Sequence, residues 1–150
     1  MPNTTPLEAS RFIVRFCREH GDGVSNLKLQ KLLYYAQAWN LAIHSKLLFN
    51  DPIQAWVHGP VVPSVWHEFR KWSWQPIGGP ILIPKISKKV ERHLEEVIGA
   101  YGHLSAYQLE RLTHEELPWR KARKGIPNDQ PSHAVISHED MKTFYRAKLK

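Results

Sequence analysis

The chain has 150 residues, 42% of them hydrophobic and 23% charged, which is typical of one globular domain spanning residues 1–150. Its 21 lysines and arginines exceed its 14 acidic residues, and the resulting net charge of +7 is spread out rather than gathered in a basic arm. No apolar run approaches the roughly 20 residues of a membrane span, and the first residues lack a secretory pattern. We therefore expect no membrane partner. The one cysteine, Cys17, can form no internal disulfide, and for this reason we expect a cytoplasmic protein.

The first two helices have clear boundaries in the sequence. Thr5 and Glu8 have the spacing of a capping box and predict the start of the first helix. Ser25 or Asn26 caps a second helix, predicted over residues 27–44. This second helix is apolar around most of its circumference, so we expect it to be central to the domain or covered by a partner.

A small β-element is expected after the second helix. Residues 53–57 alternate between apolar and polar side chains, which is typical of a strand, and Gly59 and Pro60 are expected to end it. The apolar stretch at residues 81–83 is the candidate second strand, paired with the first.

Further helices are predicted in the second half of the chain. Ser87, Ser105 and Ser137 are candidate N-caps, and Pro63 and Pro118 each precede a short helix. The sequence therefore predicts a mainly α fold, a compact single-domain helical bundle of about six helices with a small two-stranded β-element inserted after the second helix.

The sequence contains no motif of catalysis or metal binding that we recognise. Nine histidines occur, yet none has the H-E-x-x-H spacing of a zinc site, and neighbours such as His67 and Glu68 point in different directions on a helix. Whether His58, His67 and His114 meet in space stays open. Cys17 lies on the apolar side of the first helix, as a buried thiol would. We therefore predict a protein that is not an enzyme and holds no metal or cofactor.

A nucleic-acid-binding regulator is the alternative function. The net charge and the basic cluster at residues 120–124 favour it. The second helix, however, offers only Gln30 and Gln37 as base readers, with Lys28 and Lys31 as phosphate contacts. A solvated charged surface explains these charges more simply than a dedicated DNA site, and the same positive field would also attract an acidic protein partner.

Six tryptophans are many for a chain of this length. Exposed aromatic side chains beside basic residues are typical of protein-binding surfaces. Trp72 and Trp74 lie in a proline- and glycine-bounded segment beside Arg70 and Lys71, and they suit a binding surface and the end of the bundle equally well. Trp39 is assigned to the core.

Two segments together resemble the Panacea domain, also called the SocA-like antitoxin domain. They are LKLQKLLYYAQAW at residues 27–39 and IQAWVHGPVVP at residues 53–63. The stretch LTHEELPWRKAR at residues 112–123 is similar to a later segment of the family, in which a histidine precedes a tryptophan with basic neighbours. The resemblance extends from about residue 9 to residue 149.

The resemblance implies an antitoxin of a bacterial or prophage-encoded toxin–antitoxin system. Such a protein neutralises a toxin encoded by a neighbouring gene, usually through direct protein–protein contact, and the resemblance implies no enzymatic activity. It does not name the toxin, because the family is associated with toxins of several unrelated folds. Masking of the toxin and its delivery to a protease both stay open, so a protease or chaperone is a further candidate partner.

The contact residues are our own assignment from residue type and neighbourhood, because aromatic and arginine side chains dominate binding energies. Tyr35, Trp39, Gly59 and Pro60 are assigned to the architecture. The candidate toxin-binding residues are Trp56, His58, Arg70, Trp72, Trp74, Trp119 and Arg120.

Overall fold

The computed structural model describes residues 2–149, and within that range the chain forms seven α-helices and a two-stranded antiparallel sheet. The helices are α1 (Pro6–Glu19), α2 (Asn26–His44), α3 (Pro63–Glu68), α4 (Lys88–Tyr101), α5 (Ala106–Glu115), α6 (Leu117–Arg123) and α7 (His138–Arg146). Strands β1 (Gln54–Trp56) and β2 (Gly59–Val61) lie between α2 and α3, and a short 3-10 helix (Arg70–Trp72) follows α3. The predicted mainly α fold with a small β-element after the second helix is confirmed.

α2 runs through the centre of the molecule. The Ser25 side chain caps it by accepting a hydrogen bond from the Lys28 N–H at 3.2 Å. Of its 19 residues, 15 are buried, because α1, α4, α5, α7 and β2 all pack around it. The prediction that this helix is central to the fold is confirmed.

Four of the other helices, α1, α4, α5 and α7, begin at the hydroxyl caps that the sequence predicts. In each case a hydroxyl accepts from the backbone N–H three residues later, at 3.1–3.2 Å. These caps are Thr5, Ser87, Ser105 and Ser137. The reciprocal capping box expected at Thr5 is not formed, because the Glu8 carboxylate instead accepts from the Lys85 N–H at 3.1 Å and pairs with Arg11 at 3.4 Å.

The predicted partner of the first strand is wrong. β1 pairs with β2, with Ala55 opposite Pro60, while residues 81–83 are irregular. The edge strand β2 tolerates Pro60, since a proline at an edge need not donate to a neighbour. On its other side, β1 is hydrogen-bonded by residues 134–136, so it lies between two extended segments.

The segment expected to form that second strand is irregular and runs along α1, in the opposite direction to the helix. The Arg18 guanidinium donates to the Ile77 carbonyl at 2.7 Å, and Arg15 donates to the Ile81 carbonyl at 2.9 Å. Residues 82–83 are left with exposed side chains. The segment is therefore fixed by two arginines of α1 rather than by strand pairing.

Within residues 2–149, no helix has the length and apolar character that crossing a membrane requires.

Candidate partner-binding surface

The buried glutamines of α2 bind the backbone of the loops around them. The Gln37 amide donates to the Phe49 carbonyl and accepts from the Leu48 N–H, both at 2.7 Å. Gln30 accepts from the Val62 N–H at 2.8 Å. Both side chains are fully buried, so the residues predicted as base readers instead fix the chain on either side of the hairpin.

The two lysines predicted to contact phosphate are also engaged. Lys31 is 1% exposed, and the Lys28 ammonium donates to the Gly102 carbonyl at 2.6 Å. With these side chains and the glutamines turned inward, α2 lacks the polar reading face that a recognition helix needs. The prediction that α2 contacts phosphate through Lys31 is wrong, because the hairpin covers this side chain.

The hairpin turn rests directly on α2 and α5. Gly59 has a φ of +110°, and a Cβ at this position would lie 3.0 Å from Lys31 Cε and 3.1 Å from Thr113 Oγ1. Glycine is therefore required both by the backbone conformation and by the close approach. Burial lowers the pKa of Lys31 to about 8, an effect that the nearby Glu110 carboxylate opposes. His58, at the turn, pairs with Glu110 through Nδ1 and Oε1 at 3.0 Å.

An apolar pocket of about 170 Å³ opens beside this turn. Its wall contains three aromatic rings in edge-to-face contact, with centroids 5.9 Å apart for Trp56 and Trp66 and 5.5 Å apart for Trp56 and His133. The pocket is lined by Leu27, Trp56, Val57, His58, Val61, Trp66, Pro131, Ser132 and His133. Its volume is close to that of the roughly 150 Å³ apolar cavities that accept a benzene ring.

Trp74 extends this aromatic region. It is 67% exposed and lies edge-to-face with His58, with ring centroids 6.0 Å apart. We call Trp56, His58, Trp66, Trp74 and His133 the hairpin surface. Three of its members were predicted from the sequence. The other two are added by the folding of α3 and by the pairing of residues 134–136 with β1, which local sequence patterns do not reveal.

Trp119 requires a correction, because it lies inside the molecule. It is 1% exposed, and its indole N–H donates to the Trp56 carbonyl at 2.9 Å. The His114 ring stacks on it at 3.9 Å, and the Arg123 guanidinium lies 4.7 Å from its centroid. Trp119 thus offers no surface to a partner, and it supports β1 through its hydrogen bond to Trp56.

None of the remaining predicted contacts lines the pocket of the hairpin surface. Trp72 is half-buried, and a Cβ at Gly78 would lie 3.0 Å from its ring. Arg70 is exposed on the 3-10 helix. Arg120 is exposed on α6 and lines a different groove, beside Lys121.

A buried hydrogen-bond network joins α2 to α7 and to the junction between α5 and α6. The Glu116 carboxylate accepts from the hydroxyls of Tyr35 and Tyr145, both at 2.7 Å. Burial raises the pKa of Glu116, although the two hydrogen bonds oppose the shift. Trp39 donates to the Tyr101 hydroxyl at 2.8 Å, in agreement with its assignment to the architecture.

Metal ligands are not grouped in the part of the chain that the structure describes. Across residues 2–149, no three histidine, cysteine or acidic side chains come together in a way that could hold an ion. His58, His67 and His114, whose spatial relation the sequence left open, form no such group. Cys17 is a buried free thiol.

The molecule is a helical scaffold that presents aromatic side chains beside a packed hairpin. This arrangement is typical of a protein-binding domain, which is the candidate class. Residues 29–120, more than half of the chain, match the family model described as antitoxin SocA-like, Panacea domain. The chain belongs to this antitoxin family.

Over 109 residues the chain is 32% identical to Antitoxin SocA of Caulobacter vibrioides (strain NA1000 / CB15N). The similarity covers 64% of this chain and 58% of that protein, so the chain spans little more than half the length of this curated relative. No solved structure matches the chain.

Proposed function

We propose that this protein is the antitoxin of a bacterial or prophage-encoded toxin–antitoxin system and that it neutralises a cognate toxin protein by direct binding in the cytoplasm. The observation that supports the proposal is the family match over residues 29–120, which includes most of α2, the hairpin and the first four residues of α6. The toxin is the product of a neighbouring gene.

The hairpin surface is the proposed contact region. Its base is rigid, because Gly59 packs on α2 and Trp119 holds β1, and a preformed surface loses little entropy on binding. Trp56 and Trp66 line a pocket large enough for one side chain, and the exposed Trp74 lies beside this pocket. Buried aromatic anchors of this kind typically dominate the free energy of association.

Co-expression tests the proposal. The neighbouring gene is expressed alone, with the wild-type chain and with Trp74→Ala, and growth and co-purification are measured. We expect the wild type to restore growth and form a stable complex. Trp74→Ala should weaken the complex by about 30-fold, the equivalent of roughly 2 kcal/mol for an interface anchor. Leu82→Ala removes a side chain of similar exposure, 69%, from the segment that runs along α1, and it should bind as the wild type does.

Two results would contradict the proposal. One is a toxic neighbouring gene whose product neither binds the chain nor is neutralised by it. The other is tight binding of duplex DNA that weakens steeply as salt is raised, which would favour the regulator instead.

A further inference from the structure

A basic groove lies between α6 and the loop at residues 125–128, separate from the pocket of the hairpin surface. Its volume is about 430 Å³. Arg120, Lys121 and Arg123 line it, and no acidic side chain does. Leu117 and Ile126 add apolar walls that are 49% and 39% exposed. The groove thus combines positive charge with accessible apolar surface.

Arg123 supplies a buried charge that nothing in residues 2–149 neutralises. The side chain is 1% exposed and donates to the carbonyls of Ala55 and Pro127, both at 2.8 Å, and to that of Gln130. Its Nε–H is buried without an acceptor, and no carboxylate among the described residues lies within 4.0 Å of the guanidinium. Buried cations in proteins are normally paired with an anion, so the groove lacks a counter-charge.

The neighbouring cations increase this surplus. Lys121 pairs with Asp140 at 3.1 Å, but its side chain is 60% exposed, which screens the pair strongly. Arg120 is exposed and has no ion pair within the described part of the chain. The groove therefore presents a positive field to whatever enters it.

The walls favour a protein segment over a nucleic acid. Single-stranded nucleic acids bind through bases stacked on exposed aromatic rings. The one aromatic ring of this groove, Trp119, has His114 stacked on it and Arg123 packed against it, so it offers no open face. Leu117 and Ile126 can instead contact apolar side chains.

We propose that this groove binds an acidic segment of a partner protein, placing a carboxylate beside the exposed Arg120, where the buried Arg123 adds to the positive field, and an apolar side chain against Leu117 and Ile126. The identification of that partner as the toxin rests on the proposed function. The recognition chemistry of the groove does not, and it can be tested without the toxin.

The probe is a short fluorescein-labelled peptide of repeating Asp-Glu-Leu units, with a Lys-Lys-Leu peptide as its control, measured by fluorescence anisotropy at low salt. We expect the acidic peptide to bind the wild type and the basic peptide not to bind. Arg120→Glu should weaken binding at least about tenfold, because it places a like charge against the peptide. Ile126→Ser should weaken it less. Lys89→Glu, on α4 outside the groove, makes the same change in net charge and should leave the affinity unchanged.

Circular dichroism of each variant checks the fold, and because Arg120 is exposed we expect no change. The proposal is overturned if the acidic peptide does not bind, if Arg120→Glu and Lys89→Glu weaken binding equally, or if a single-stranded oligonucleotide binds the groove more tightly than the peptide.

Peptide binding without neutralisation of the toxin would contradict the proposed function and leave the groove assignment standing. Neutralisation that is unaffected by Arg120→Glu, together with no peptide binding, would contradict the groove assignment and leave the proposed function standing.

Discussion

Gly59 occupies the position where one added methyl group should be most harmful. Gly59→Ala places a side chain at a φ of +110° and against Lys31 and Thr113, both of which are buried. We expect the free energy of unfolding to fall by about 1–3 kcal/mol, measured by urea denaturation. Gly99→Ala is the matched control, because Gly99 lies within α4 and, apart from its chain neighbours and the helix's own backbone, nothing lies within 4 Å of its added Cβ. It should stabilise by about 0.5–1 kcal/mol, and equal effects at both sites would contradict the argument.

Glu116 should make the stability depend on pH. Its pKa in the folded protein is raised above 4.5, mainly by burial, so the folded state binds the proton more tightly than the unfolded state. Its contribution to stability is therefore present at pH values below 4.5 and is lost as the pH rises through the raised pKa. Glu116→Gln removes the titration and keeps an oxygen that accepts from Tyr35 and Tyr145.

The measurement for Glu116 is the free energy of unfolding as a function of pH. The stability of Glu116→Gln relative to the wild type should rise as the pH increases from 4.5. Glu95→Gln, at an exposed position on α4, should follow the wild-type curve. A relative stability of Glu116→Gln that is constant with pH would show that the buried carboxyl is not the source.

The loop after α2 depends on a side chain of that helix for its backbone hydrogen bonds. Gln37→Leu preserves the approximate volume but leaves the Leu48 N–H and the Phe49 carbonyl unpaired. Each unsatisfied buried group costs about 1–3 kcal/mol, so we expect a loss of several kcal/mol and faster hydrogen exchange at the Leu48 amide. Gln75→Leu, at an exposed glutamine, should change the stability by less than about 0.5 kcal/mol. Slow exchange at Leu48 in the Gln37 variant would contradict this role.

The elements that the sequence predicted well are those that local contacts decide. Caps such as Ser87 and Ser137 need only a hydroxyl and a backbone amide three residues away. The apolar circumference of α2 must be buried, whichever elements of the fold pack against it. The pairing of β1 was mispredicted because Pro60 was interpreted as the end of a strand, whereas the fold gives it an edge position.

The surface was harder to predict than the helices. Whether Trp119 faces a partner or the core depends on where α6 docks, and its ring is enclosed only once β1, α5 and Arg123 are assembled around it. Gln30 likewise looks like a base reader until the β2 segment supplies the amide that it binds. A tryptophan or glutamine has the same local pattern in both settings, so tertiary contacts make the difference.

All seven helices and β1 contribute to one continuous hydrophobic cluster, which includes Ala9 of α1, Ala55 of β1 and Met141 of α7. Because no helix has a core of its own, we expect residues 1–150 to unfold as a single cooperative domain. Urea denaturation followed by far-ultraviolet circular dichroism reports mainly the helices, and tryptophan fluorescence reports mainly the region around the hairpin.

The two unfolding curves should share one midpoint and one slope, with the slope near 1–3 kcal/mol/M. Trp74→Phe serves as the control. It removes an indole that is 67% exposed, so the emission of this indole should change least on unfolding. The fluorescence midpoint should therefore stay the same in this variant. If fluorescence changes at lower urea than circular dichroism, the hairpin and the loop at residues 125–135 open before the helices separate. The hairpin surface would then be a separate folding unit, and its rigidity could not be attributed to packing on α2.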